Sequence, residues 1–206
     1  GAVRVELSAV SVELEGNFVA GSAQDPSTGR TFKTYAVYIQ AQLPTGIPLG
    51  ATGVAFYGFS GLFAYNRVPA KRDDEGWYRN PDLSTGWYTR PPEGITDVGN
   101  KWRGANGHTG FGAGIVLGTY ADNGYLFNGR LLLALVFPGP VILIEGMANL
   151  LKKRAELGSG EPNLHSLLVI DAGKSITAGL DAQYKFGSDG ELLDIRGSAQ
   201  AYFSFE

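Results

Sequence analysis

Apolar and polar residues change places at nearly every step over the last part of the chain. Ile176, Ala178, Leu180, Ala182, Tyr184 and Phe186 share one parity, and Ser175, Thr177, Asp181, Gln183 and Lys185 the other. That period of two belongs to a strand with one buried face, and the apolar parity is the one expected inside. After the turn Gly187-Ser188-Asp189-Gly190 the alternation resumes, with Leu193, Ile195, Ala199, Ala201, Phe203 and Phe205 set against Asp194, Arg196, Ser198, Gln200 and Ser204. The two runs predict a long antiparallel hairpin.

The first residues repeat the pattern. Val3, Val5 and Leu7 occupy odd positions and Val10, Val12 and Leu14 even ones, so the parity switches at Ala9-Val10 as a β-bulge would make it do. Asp25-Pro26-Ser27-Thr28-Gly29 supplies turn residues before a further run from Arg30 to Leu43. Glycines punctuate the central apolar runs ATGVAFYGFSGLFAYN and TGFGAGIVLGTYADNGYLF, which marks curved strands or close backbone approach. A shared order of apolar residue, charge and glycine recurs at Leu14-Glu15-Gly16, Ile144-Glu145-Gly146 and Ile195-Arg196-Gly197. All three read as strand, although EGMANLLKKRAEL, residues 145–157, also fits a short amphipathic helix with Met147, Leu150 and Leu151 inward.

The expected fold is therefore all-β and mainly antiparallel. About ten long strands form one large curved or barrel-like sheet, with at most one short helix. One segment breaks the scheme: residues 66–107 show no sustained alternation, yet hold all three tryptophans, Trp77, Trp87 and Trp102. It reads as a long Trp-rich loop inserted in a single domain spanning residues 1–206.

Composition narrows the chemistry. A formal net charge of −3 gives no basic excess for a polyanion, so nucleic acid is not an expected partner. The chain has no cysteine, which removes disulfides and thiol-based metal or redox chemistry. The strongest apolar run, LLLALVFPGPVILI, is broken by Pro138-Gly139-Pro140, so no transmembrane helix is expected. The N-terminus GAVRVELSAVSVELEG lacks the basic and apolar regions of a secretory signal, which leaves the compartment open between a cytosolic protein and a processed or excised piece.

Candidate motifs weaken on inspection. LLVIDAGKSIT has Leu168 where a phosphate-binding loop needs glycine, and reads as a strand and a turn. GFGAGIVLG lacks the spacing and strand-helix context of a dinucleotide site, so no cofactor is expected. Neither His108 nor His165 has metal-ligand spacing around it; His108 is the better functional candidate because it closes the long loop. No metal site and no catalytic residue is assigned.

What remains is the near-duplicate Gly76-Trp77-Tyr78-Arg79 and Gly86-Trp87-Tyr88-Thr89, followed by Arg90. Trp77, Tyr78, Trp87, Tyr88 and Trp102, with Arg79, Arg90 and His108, make a candidate ligand-binding set of rigid aromatic faces and guanidinium groups. The competing reading is that the three tryptophans are the loop's own small core. Asp82, Glu93 and Asp97 beside them keep a carboxylate-pair, sugar-cleaving reading open.

The order FSGLFAYN, Trp-rich insertion, FGAGIVLGTYADNGYLFNG, LVFPGPVILIEGMANLLKKR resembles segments of a family of large, repetitive, β-rich bacterial proteins of uncharacterised function, over roughly residues 50 to 186. That resemblance implies a module of a larger chain and transfers no catalytic residue. Three functional readings follow. The leading one is a non-catalytic β-rich scaffold or binding module whose long sheet holds an apolar, lipid-like ligand or a protein partner. The alternatives are a carbohydrate-binding or glycosidase-like domain using the Trp-rich loop, and an outer-membrane β-barrel. Against the barrel stand LLLALVF and VILI, apolar at both parities, and few aromatics at strand ends; the expectation is a chain that dissolves without detergent.

Overall fold

The structure, a computed structural model, describes residues 2–7, 12–69, 98, 102–154, 157, 162–186 and 193–205. It is a ten-stranded antiparallel sheet in which every strand lies between its neighbours in the sequence. The strands are β1 (Ala2–Leu7), β2 (Val12–Gln24), β3 (Thr31–Pro48), β4 (Val54–Pro69), β5 (Trp102–Thr119), β6 (Phe127–Phe137), β7 (Val141–Leu150), β8 (Leu164–Asp171), β9 (Ser175–Phe186) and β10 (Leu193–Ser204). Among the described residues β1 and β10 are the two edges. No helix is present among them.

Connections alternate between two ends of the sheet. At one, hereafter the Pro138 end, lie the turns 25–30, 138–140 and 172–174, and there β4 ends and β5 begins. At the other, the Asp122 end, lie 49–53, 120–126 and 151–163. The C-terminal hairpin follows the alternation of the sequence: Leu193 pairs with Phe186 and Ser204 with Ser175 without a break. Glu145–Leu150, the stretch open to a helical reading, is strand, because Glu145 pairs with Leu167 and Met147 with His165 on a neighbour already extended. The expected parity switch at Ala9-Val10 and the turn 187–190 lie outside the described residues.

The Trp-rich stretch is shorter as a loop than its sequence suggested. Strand continues through Asn66–Pro69 and resumes at Trp102. Alternation is lost there because the β4–β5 register shifts between Tyr65 and Arg67. Asn66 sits at φ 53° and Gly107 at φ 77°. The Asn66 side chain donates to Lys33 O at 2.8 Å and accepts from Gly107 N at 2.8 Å, filling the ladder positions that the irregularity leaves open.

The sheet curls tightly enough to make one face an interior. Ala36 of β3, Leu62 and Ala64 of β4, Trp102 of β5, Leu132 and Val136 of β6, Leu143 of β7 and Leu167 and Val169 of β8 form one buried cluster. Glycine permits the close approach: a Cβ at Gly114 would stand 2.4 Å from Ser60 Oγ and 2.9 Å from Leu131 O. Gly112 is similarly crowded, 3.0 Å from Leu62 Cβ and 3.1 Å from Leu133 O.

Candidate functional site

Each strand alternates, so each contributes one set of side chains to the curled interior and one to the outside. The assignment of the two sets reverses the expectation. In β9 the polar parity is the buried one, with Thr177 3% and Gln183 7% exposed, whereas Leu180 is 41% exposed. Around the sheet the outward positions are almost wholly apolar: Tyr35, Val37 and Ile39 on β3, Phe59, Phe63 and Tyr65 on β4, Phe111, Ile115 and Leu117 on β5, Leu131, Leu133 and Phe137 on β6. One row of paired residues crosses from Leu14 through Ala41, Phe59, Ile115, Leu131, Gly146, Ser166 and Leu180 to Ala199. Its one polar side chain, Ser166, donates its hydroxyl to Gly146 O at 3.5 Å.

Aromatic rings gather where this outer face nears the Pro138 end. Tyr35 stacks on its cross-strand partner Tyr65 at 5.0 Å between centroids, and Phe63 meets its partner Phe111 at 5.3 Å. Phe137 is exposed on the next strand. Tyr120, Tyr125 and Phe127 are exposed at the Asp122 end. Strand-end aromatics, sparse in the sequence when counted along the chain, therefore cluster once the strands are laid side by side.

The interior mixes apolar and polar groups along its length. Towards the Pro138 end the apolar cluster around Trp102 lies with buried Thr34, Asn66, Asp171, Ser175 and Thr177. Towards the Asp122 end polar groups are buried and paired: His165 Nε2 lies 3.1 Å from Glu145 Oε1, an Arg130 guanidinium N–H reaches Met147 Sδ at 3.3 Å, and the Tyr38 hydroxyl donates to Gln40 Oε1 at 2.7 Å. Asn163 binds Leu150 N at 2.8 Å and Gln183 O at 3.0 Å, and its own N–H donates to Asn149 Oδ1 at 3.2 Å. Arg154, from the β7–β8 connection, donates to Leu43 O at 2.9 Å and lies 4.2 Å over the Tyr57 ring, tying that connection across to β3 and β4. Burial lowers the affinity of its guanidinium for the proton, and the nearby Tyr57 acts the other way. Trp102, Tyr57, Leu132 and Asn128 are all essentially inaccessible.

The sequence-derived binding set does not assemble in the described residues. Trp77, Tyr78, Arg79, Trp87, Tyr88 and Arg90 lie outside them, as do Asp82, Glu93 and Asp97. Trp102 is 2% exposed and packed among Ala64, Val98 and Val136, so its ring belongs to the core. His108 is half-buried on β5, with Nδ1 3.0 Å from Asn106 O. His165 is the histidine that meets a carboxylate. Glu145 stands 20 positions earlier on the adjacent strand, at no recognisable ligand spacing, so only the pairing of β7 with β8 could reveal it. Among the described residues no three His, Cys, Asp or Glu converge as a metal site would require. No helix among them is long and apolar enough to cross a membrane. Compared with known protein families, curated proteins and solved structures, the chain matches none of them.

Proposed function

We propose that this chain is a non-catalytic β-structural module whose apolar partner is a lipid bilayer, met by the outer face of the sheet. The observation that carries the reading is the difference between the two faces: the outward parity is apolar on successive strands, while the buried parity mixes apolar side chains with polar ones such as Gln40, Arg130, Glu145, His165, Thr177 and Gln183. Proteins in water expose large apolar residues singly, because each buried apolar Å² is worth roughly 25 cal/mol. A continuous outer face of Phe, Leu, Ile and Tyr is stable where the surroundings are themselves apolar, and a lipid-facing sheet has this alternation of apolar outside and polar inside.

Dimensions agree. β6 runs 11 residues from Phe127 to Phe137, all outward positions but Gly129 being apolar and large. At roughly 3.4 Å per residue and a tilt of about 35–45° it spans about 24–28 Å, close to the height of roughly 25 Å of an apolar band in lipid-embedded sheets. The aromatic groups at its two ends match the positions that rings take at bilayer interfaces. The runs LLLALVF and VILI, apolar at both parities, fit as well: their inward members Leu132, Ala134, Val136 and Leu143 close the interior near the Pro138 end. The large inward side chains Trp102, Tyr57, Leu132 and Arg130 occupy the interior, which supports a wall or anchor rather than a wide pore. In hydrocarbon the backbone groups along the edges of β1 and β10 require partners, which is a demand the reading makes on the assembled protein.

The test is flotation of the purified chain with phosphatidylcholine vesicles after a urea wash. The chain is expected to stay with the vesicles and to need detergent in their absence. A monodisperse, folded protein in plain buffer sinks the proposal.

A further inference from the structure

The two ends of the sheet use the same device to shape a turn and put different side chains on it. At the Pro138 end, Asp25 Oδ1 accepts Ser27 N at 2.9 Å, the Ser27 hydroxyl at 2.7 Å and Thr28 N at 3.3 Å, and the turn presents Pro26, Ser27 and Thr28. At the other end Asp122 accepts the Thr119 hydroxyl, Gly124 N at 3.1 Å and Tyr125 N at 3.2 Å through one oxygen, and Leu126 N at 2.7 Å through the other. Asn123 at φ 56° and Gly124 at φ 83° complete the tight turn. What this braced turn holds out is Tyr125 and Leu126, 48% and 54% exposed.

The neighbouring connection adds to the same rim. Leu151 N donates to Leu126 O at 3.2 Å, so the two turns are joined. Leu151 itself takes a left-handed conformation, φ 54°, which is unfavourable for a branched side chain, and it stands exposed beside Leu150. The exposed Lys153 follows two residues later. Tyr120, Tyr125, Leu126 and Leu151, four apolar or aromatic tips on two hydrogen-bonded turns and continuous with exposed Phe127 and Leu150 of the outer face, form a preorganised oily rim with an ammonium group at its margin. Little conformational freedom remains to be lost when it is covered.

We propose that this rim, Tyr120, Tyr125, Leu126, Phe127, Leu150 and Leu151, lies at the boundary between acyl chains and headgroups of the bilayer, with Lys153 at the depth of the lipid phosphates. The proposal rests on the lipid-facing reading above. It goes further in fixing how deep the turns of the Asp122 end sit, whereas the Asp25 turn, with Pro26, Ser27 and Thr28 at its tip, stays in water. Tyrosine hydroxyls and lysine ammonium groups both favour this layer, where an apolar stem and a polar tip are accommodated together.

The absence of cysteine makes the test direct, because one introduced thiol is the one site of labelling. Fluorophores are placed on Leu126→Cys, Leu151→Cys, Leu133→Cys and Ser27→Cys of the full chain in phosphatidylcholine–phosphatidylglycerol vesicles. Quenching is compared between lipids bearing a nitroxide near the carbonyls, lipids bearing it deep in the chains, and iodide in the water. All four positions are exposed, so the labels leave the packed interior intact. The rim labels are expected to be quenched most by the shallow nitroxide, Leu133→Cys by the deep one, and Ser27→Cys by iodide alone. If the rim labels answer only to iodide while Leu133→Cys still answers to the deep nitroxide, the rim assignment is overturned and the lipid-facing reading stands. If Leu133→Cys also answers only to iodide, both are overturned.

Discussion

The two faces of the sheet are built from the same strands by the same alternation, yet they follow opposite rules. The inner face is heterogeneous: Trp102, Leu132 and Val169 pack at one end, while Glu145, His165, Asn149 and Asn163 pair at the other. The outer face is uniform, with Phe59, Ile115, Leu131 and Leu180 interchangeable in kind and exposed in place. An inner residue is chosen for the particular neighbour it meets across the curl. An outer one is chosen for the medium. Substitutions should therefore be costly inside in any surroundings, and outside they should be costly in lipid.

The largest expected effect is inside. Trp102→Ala removes a 2%-exposed indole and should destabilise the fold by about 3–5 kcal/mol, read by denaturant unfolding. A small loss would mean that the core does not depend on this ring. Next comes the outer face: Leu133→Arg, midway along β6, should cost about 2–4 kcal/mol in vesicles and far less in a loosely packed detergent micelle. Equal stability of Leu133→Arg and the parent chain in vesicles would break the comparison at its weaker side. Gly114→Ala tests the close approach between strands. Its Cβ would meet Leu131 O at 2.9 Å, and overpacking of this kind costs about 1–3 kcal/mol. If Gly114→Ala is neutral, the curl is looser there than the distances indicate.

The smallest effect concerns the turns. The Thr119 hydroxyl and then the Leu126, Tyr125 and Gly124 amides hold the Asp122 carboxyl below its ordinary 3.8, and Ser27 does the same for Asp25. A lowered value in the folded state means that the support is complete above 3.8 and fades as pH falls through the lower folded value. A label at Leu126→Cys should therefore keep its depth between about pH 5 and 8 and lose it only under strong acid, roughly below pH 4. Asp122→Asn should loosen the rim without unfolding the sheet, seen as weaker shallow quenching at unchanged strand content. Loss of depth already at about pH 6 would point away from Asp122 as the brace.

Parts of the molecule are legible in the alternation alone. The C-terminal hairpin reads directly from residues 176–205, because alternation is a local property and the break in it separates the two strands. LLVIDAGKSIT reads as a strand ending at Ile170 and a turn over 171–173, since Leu168 already excludes a phosphate loop; the strand in fact runs one residue further, to Asp171, and the turn is 172–174. Other features escape for identifiable reasons. Asn66 and Gly107 hide the ends of β4 and β5 by breaking the period where a side chain replaces a ladder bond. Residues 145–157 offer two periods, and over Glu145–Leu150 the strand wins because β6 and β8 supply extended neighbours. The Glu145–His165 pair exists only through the pairing of β7 with β8.

Alternation by itself determined that the strands are extended and that the C-terminal pair forms an antiparallel hairpin, since neighbouring side chains on a strand must point to opposite sides whatever lies around them. It could not say which side is enclosed. That was decided by the direction in which ten strands curl, which depends on contacts between residues far apart, such as Tyr38 with Arg130 and Arg154 with Leu43. The curl leaves an almost wholly oily parity facing outward, and on that tertiary outcome the proposed lipid-facing role rests.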